Sequence, residues 1–139
     1  MKFLHTMLRV KDLDRALHFF IDQLGLVEVK RSEHPAGKFT LIFLATAKGD
    51  PEIELTYNWD MTDEYTMGRN FGHIAFEVDD IYATCTRLLE NGVIINRPPR
   101  DGYMAFIKSP DNQSVELLQR GTPLITKLPW SEMKNIGTW

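Results

Sequence analysis

Apolar positions along the chain change period in a fixed order, and that order occurs twice. From Leu4 to Val10 the chain is rich in apolar residues, which suits a strand, and over residues 12 to 25 they switch to helical spacing, with Leu13, Ala16, Leu17, Phe20, Ile21 and Leu24 recurring. Asp12 is placed to cap this helix and Gly25 to end it. Strands are predicted at 26–32, 39–46 and 52–58, separated by the turn signals His34-Pro35-Ala36-Gly37 and Lys48-Gly49-Asp50-Pro51. The second half begins with a strand from Gly72 to Val78. A helix over 80 to 91 follows, with Ile81, Cys85, Leu88 and Leu89 on one face, Asp80 as its cap and Gly92 as its stop. Strands are then predicted near 93–97, 103–108 and 114–119.

The two halves align residue by residue where they open. His5-Thr6-Met7-Leu8-Arg9-Val10-Lys11-Asp12-Leu13 lies over His73-Ile74-Ala75-Phe76-Glu77-Val78-Asp79-Asp80-Ile81, and Ile53-Glu54-Leu55 lies over Val115-Glu116-Leu117. A repeat of this length constrains the fold more than any single segment does. The expectation is an α+β chain of paired βαβββ modules with mixed sheets. Module one covers about 1–60, module two about 70–120, and a tail runs from 121 to 139. At 139 residues these fit within one domain.

Strand residues two apart share a face. In the first strand Leu4, Thr6, Leu8 and Val10 are expected to cover the helix, which turns His5, Met7 and Arg9 the other way. In the strand at 52–58, Ile53, Leu55 and Tyr57 take the helix side and leave Glu54, Thr56 and Asn58 opposite. The second module repeats the division, with His73, Ala75 and Glu77 and then Glu116 and Leu118 facing away from the helix. A one-residue slip would bury the charges, so the register is well specified. Each module thus presents one His and one Glu on the concave face of its sheet. Taken singly, such residues are ordinary half-exposed side chains. The recurrence of the pair at equivalent positions is what gives it weight. Two imidazoles and two carboxylates make a mixed N/O set suited to a borderline divalent metal, and the carboxylates cancel its charge. A thiolate-type structural zinc site is not expected, since no Cys takes part.

The rest of the composition narrows the partners. A net charge of −3 argues against nucleic acid, and the apolar runs are too short to span a membrane. The opening MKFLHTMLRV has no signal-peptide pattern, so a cytoplasmic location is expected. The lone Cys85 cannot form an intrachain disulfide and is read as core.

The run Ile53-Glu54-Leu55-Thr56-Tyr57-Asn58-Trp59, with Leu4-His5-Thr6-Met7-Leu8-Arg9-Val10 and Phe71-Gly72-His73-Ile74-Ala75, closely resembles the glyoxalase I (lactoylglutathione lyase) family. That family lies within the vicinal oxygen chelate (glyoxalase/bleomycin-resistance) superfamily. The resemblance covers roughly residues 3–120, and it implies a half-open barrel built from the mixed sheets. It also implies that His5, Glu54, His73 and Glu116 bind one octahedral metal with two waters. His5 and Glu54 would come from one subunit of a homodimer, and His73 and Glu116 from the other. A histidine at the first position suggests activation by Ni²⁺ or Co²⁺, with Zn²⁺ possible.

The implied reaction isomerises the hemithioacetal of methylglyoxal and glutathione to S-D-lactoylglutathione. A chelating divalent ion would polarise the adjacent oxygens and stabilise the enediolate. Glu116 would carry the proton from C1 to C2, and Glu54 would serve the other substrate epimer. By the same resemblance Arg9, Asn58 and Arg69 meet the γ-glutamyl end of glutathione, and a guanidinium fork suits a carboxylate.

Three features depart from the family pattern. The loop before Tyr103 is short and lacks the lysine that often meets the glycyl carboxylate, with Arg97 and Arg100 as the nearest substitutes. The usual Pro-Asp-Gly turn is Pro110-Asp111-Asn112, where Asn tolerates a left-handed backbone. The tail, with Leu128, Pro129, Trp130, Met133 and Trp139, is too apolar for a free coil. Surface packing is expected, with packing on the dimer or cover of the site as alternatives. Competing readings are a glyoxalase using another thiol, a three-ligand enzyme of the same superfamily, against which Glu54 speaks, and a metal-free drug-binding module.

Overall fold

The computed structural model describes residues 1–139, which divide into two compact units, Met1–Thr66 and Met67–Trp139. In the first unit, β1 (His5–Val10) leads into α1 (Leu13–Leu17), and β2 (Val27–His34), β3 (Phe39–Ala45) and β4 (Glu52–Asn58) follow. The second unit holds β5 (His73–Val78), α2 (Ile81–Glu90), β6 (Ile95–Arg97), β7 (Met104–Lys108) and β8 (Ser114–Gln119). The βαβββ order is therefore present twice.

Each unit builds one open four-stranded mixed sheet, ordered β1-β4-β3-β2 in the first and β5-β8-β7-β6 in the second. In both, the strand that opens the unit pairs in parallel with the strand that closes the sheet. The remaining pairings are antiparallel. The parallel registers set Met7 opposite Glu54 and Ala75 opposite Glu116. His5 and His73 therefore each stand two residues before the residue paired with a glutamate, on the glutamate's face.

The opposite faces form the cores. Leu8, Val10, Ile42, Leu44 and Leu55 are buried with Ala16, Phe19 and Phe20 in the first unit. In the second, Ile81, Cys85 and Leu88 are buried with Ala105, Ile107, Val115 and Leu117. Each buried Val, Leu, Ile or Phe side chain contributes roughly 1.5–3 kcal/mol. Buried Gln119 fixes α2 to β8, accepting from the Ile81 N–H at 2.9 Å and donating to the Asp79 carbonyl at 2.8 Å. Asp12 and Asp80 cap their helices as expected, accepting from the N–H groups of Arg15 at 3.0 Å and Ala83 at 2.9 Å.

Several expectations are corrected. The helix predicted over 12–25 is α-helical only through Leu17 and continues as a π-helical turn, His18–Gln23. The Leu24 N–H reaches back five residues to the Phe19 carbonyl at 3.0 Å. His18 spans this wide turn through Asp22 at 2.8 Å and Gln23 at 3.1 Å. Adjacent Phe19 and Phe20 both enter the core, edge to face at 5.1 Å. Leu4 lies outside β1 and is 63% exposed, so it does not cover the helix. β2 runs on to His34, whose ring stacks on Phe39 across the hairpin at 4.5 Å. Asn112 has φ 67°, the left-handed backbone expected of it.

Candidate metal centre

The same side-chain arrangement stands on the ligand face of each sheet. In the first unit His5 Nε2 lies 3.0 Å from Glu54 Oε2, and in the second His73 Nε2 lies 3.1 Å from Glu116 Oε2. Exposure repeats as closely. Both glutamate side chains are 14% exposed, and the two histidines are 40% and 43% exposed. The carboxylates are thus set into the sheet while the imidazoles stand at its open edge.

A phenylalanine braces each pair. Phe43 pairs in register with Glu54 and Phe106 with Glu116, so both rings lie on the ligand face. Phe43 meets His5 edge to face at 5.7 Å, and Phe106 meets His73 in the same way at 5.3 Å. These rings limit the rotation of the imidazoles and keep their nitrogens beside the carboxylates. The sequence reading missed them because the β3–β4 loop (46–51) is one residue longer than the β7–β8 loop (109–113), which displaces the two phenylalanines in a gapless alignment. Allowing one gap would have paired them.

The residues suit a divalent ion. Both separations are hydrogen-bond distances, so in each unit an imidazole nitrogen and a carboxylate oxygen already converge. Each pair offers one imidazole nitrogen and one carboxylate, without sulfur, as expected for a borderline ion. No group of three or more His, Cys, Asp or Glu side chains converges, so each unit holds a pair and not a complete set.

Among the expected substrate contacts, Arg9 and Asn58 share the first unit with His5 and Glu54. Arg9 pairs in register with Thr56 and is exposed. Asn58 closes β4 and donates from Nδ2 to the Tyr65 hydroxyl at 3.0 Å. Arg69 lies in the second unit, exposed on the segment leading to His73.

The two candidates for the missing cation are engaged elsewhere. Arg97 donates to Asp101 at 2.8 Å and to the Met104 carbonyl. Arg100 donates to the Met133 carbonyl at 3.0 Å and to Asn135 Oδ1 at 2.8 Å. The absence of a lysine in this turn has a steric counterpart. Gly102, just before Tyr103, has φ 71°, and a Cβ there would lie 2.1 Å from the Leu124 carbonyl oxygen. The tail crosses this point, with the Leu124 N–H donating to the Gly102 carbonyl at 3.0 Å, and leaves no room for a side chain.

Beyond the ligand face, burial pushes the Cys85 thiol up to about 12, which leaves it a neutral core residue. No helix is long and apolar enough to cross a membrane.

The chain matches known proteins over most of its length. Residues 2–117 match the Glyoxalase/Bleomycin resistance protein/Dioxygenase superfamily. The chain is 43% identical over 123 residues to the probable lactoylglutathione lyase of Synechocystis sp., covering 84% of this chain and 93% of that one. It is 45% identical over 126 residues to the lactoylglutathione lyase of Haemophilus influenzae, covering 86% and 93%. Among solved structures it superposes on the trypanothione-dependent glyoxalase I of Leishmania major with a TM-score of 0.81 and 36% identity, covering 86% of each chain. With a family match over most of its length and relatives matched over nearly all of theirs, the chain belongs to the Glyoxalase/Bleomycin resistance protein/Dioxygenase superfamily and, within it, to the lactoylglutathione lyase (glyoxalase I) family.

Proposed function

We propose that the chain is a metal-dependent lactoylglutathione lyase that converts the methylglyoxal–glutathione hemithioacetal to S-D-lactoylglutathione. The observation that carries this reading is the duplicated His–Glu pair at 3.0 and 3.1 Å, in a chain whose relatives bear that activity. His5, Glu54, His73 and Glu116 would hold the ion, with each unit supplying half of the set. A divalent ion so held supplies Lewis-acid polarisation of the two adjacent substrate oxygens.

The chain's own groups do the rest. Glu116 takes the C1 proton and returns it to C2, and Glu54 does the same for the opposite epimer. His5 and His73 remain in place, braced by Phe43 and Phe106. Arg9, Asn58 and Arg69 bind the γ-glutamyl end of the thiol, where Arg9 offers its carboxylate a bidentate fork. The working unit is a homodimer in which His5 and Glu54 of one chain meet His73 and Glu116 of its partner, in a cytoplasmic setting.

One observation favours a second reading of the thiol. Arg97 is held within the short turn 97–104 and Arg100 by the tail, and the Leishmania major relative is trypanothione-dependent. A thiol without a free glycyl carboxylate would not miss the absent cation.

The test is a coupled metal and activity assay. Chelator-stripped protein should be inactive with methylglyoxal and glutathione, and Ni²⁺ or Co²⁺ should restore activity better than Zn²⁺ at about one ion per chain. Full activity in stripped protein would remove the metal from the reading. Faster turnover with trypanothione than with glutathione would move the thiol to the second reading.

A further inference from the structure

The repeat is symmetric in its ligands and asymmetric in what flanks them. In the first unit the ring of Phe43 carries the Lys30 ammonium, 3.9 Å from its centroid. In the second unit the matching Phe106 carries the indole of Trp139, stacked at 5.8 Å with 25° between the ring planes. His73, Phe106 and Trp139 thus form a row of three rings on the ligand face of β5, β7 and β8.

The placement of Trp139 is built by a series of anchors. Trp130 is buried against Tyr82, stacked at 6.4 Å, and anchors the start of the tail's final stretch. Arg100 holds Met133 and Asn135. Asn96 on β6 then makes a reciprocal pair with Ile136, accepting from its N–H at 2.9 Å and donating from Nδ2 to its carbonyl at 2.8 Å. Gly137, with φ 64°, turns the backbone in a conformation that side chains resist, two residues before Trp139. Successive anchors therefore deliver Trp139 onto Phe106. One indole face is covered by that ring, yet the residue remains 44% exposed, so the rest of it is open to a partner. The segment lies beyond residues 2–117, where the family match ends.

We propose that Trp139 is a specificity-determining residue of the active site. In this assignment it forms an apolar wall beside the His73–Glu116 pair and contacts the carbon substituent that the aldehyde contributes to the hemithioacetal. The inference rests on the lactoylglutathione lyase reading. The substrate joins a charged peptide thiol to a small apolar group, and the indole stacked on Phe106 offers the apolar group a surface beside the His73–Glu116 pair. An indole supplies a large rigid apolar surface with little conformational entropy to lose. Removing such a wall weakens discrimination between substituents by about tenfold for a contact of a few carbon atoms.

The experiment measures binding of S-methylglutathione and S-hexylglutathione by calorimetry to the metal-loaded wild-type, Trp139→Ala and Trp139→Phe proteins. Tryptophan emission is followed in the same titrations. Trp139→Ala should cut the preference for the hexyl over the methyl ligand about tenfold, and Trp139→Phe should restore most of it. The ligand-induced emission change should fall by more than half in Trp139→Phe. If Trp139→Ala does not fold, the emission change in Trp139→Phe decides alone. An unchanged hexyl-to-methyl ratio, or an undiminished emission change, in an enzyme that makes lactoylglutathione overturns the inference and leaves the reading of the activity intact. Loss of the ratio in a protein that makes no lactoylglutathione overturns the reading of the activity while placing Trp139 at the ligand's apolar end. A wild-type protein that binds neither ligand overturns both.

Discussion

Thr56 donates a long hydrogen bond, 3.4 Å, from its hydroxyl to Oε1 of Glu54, the carboxylate oxygen that does not face His5. The matching position in the second unit is Leu118, which has no hydrogen to donate. Two carboxylates that agree in exposure and in distance to their histidines therefore differ in tethering. Glu54 is restrained at both oxygens, whereas Glu116 is free of this second restraint. Thr56→Val should weaken divalent-ion affinity by less than tenfold, as expected for losing one long charge-assisted bond, and Thr56→Ser should restore it. An equilibrium titration with Ni²⁺ reads this directly, and a Thr56→Val protein with wild-type affinity would show that the tether is idle.

Glu116→Gln should abolish nearly all turnover. A general base contributes roughly 10²–10⁴-fold, and the same change weakens a metal ligand, so the loss should exceed that range. Arg9→Ala should instead raise KM for the thiol adduct while leaving kcat nearly unchanged, the pattern of lost uniform binding. Steady-state kinetics on both variants separate the roles.

Subunit mixing tests the shared site. His5→Ala and Glu116→Ala chains are each expected to be inactive alone. In a heterodimer with one half-set from each chain, both lesions fall in one site and the other is intact, so activity should return after exchange. Sites confined to single chains would give no recovery, and an active monomer in sedimentation would also reject the arrangement.

Asp101 gives a prediction in pH. Burial alone would raise its carboxyl, but the Arg97 guanidinium and the N–H groups of Met104 and Tyr103 outweigh this and hold it at about 2. The unfolded chain releases this proton near pH 3.9, at the ordinary Asp value. The stabilisation is therefore complete above about pH 4 and fades as pH falls toward about 2. Asp101→Asn should lower the thermal midpoint at neutral pH, and the gap from wild type should close between about pH 4 and 2. A gap that persists at the acid end would assign the effect to packing.

Much of this was legible in the sequence because period-two and helical patterns determine which face each residue takes. The faces of β4 and β8 followed from Leu55 and Leu117, and with them the positions of Glu54 and Glu116. What escaped leaves no mark on those patterns. The π-helical turn at His18–Gln23 keeps the apolar spacing of an ordinary helix, so its wider hydrogen bonding leaves no sequence signal. Phe43 and Phe106 were hidden by unequal loops. The engagement of Arg100 with Met133 and Asn135, and the crossing of Leu124 over Gly102, depend on where the tail lies, which no local pattern records.

The parallel pairing of β1 with β4, and of β5 with β8, also orders events during synthesis. In each module the histidine emerges from the ribosome first and its glutamate last, with a helix and two strands between them. A nascent module therefore cannot present its pair until its final strand has docked beside its first, the slow non-local step of such a topology. An ion held by these pairs would add its binding energy only to finished sheets, stabilising complete chains and leaving truncated ones without that support.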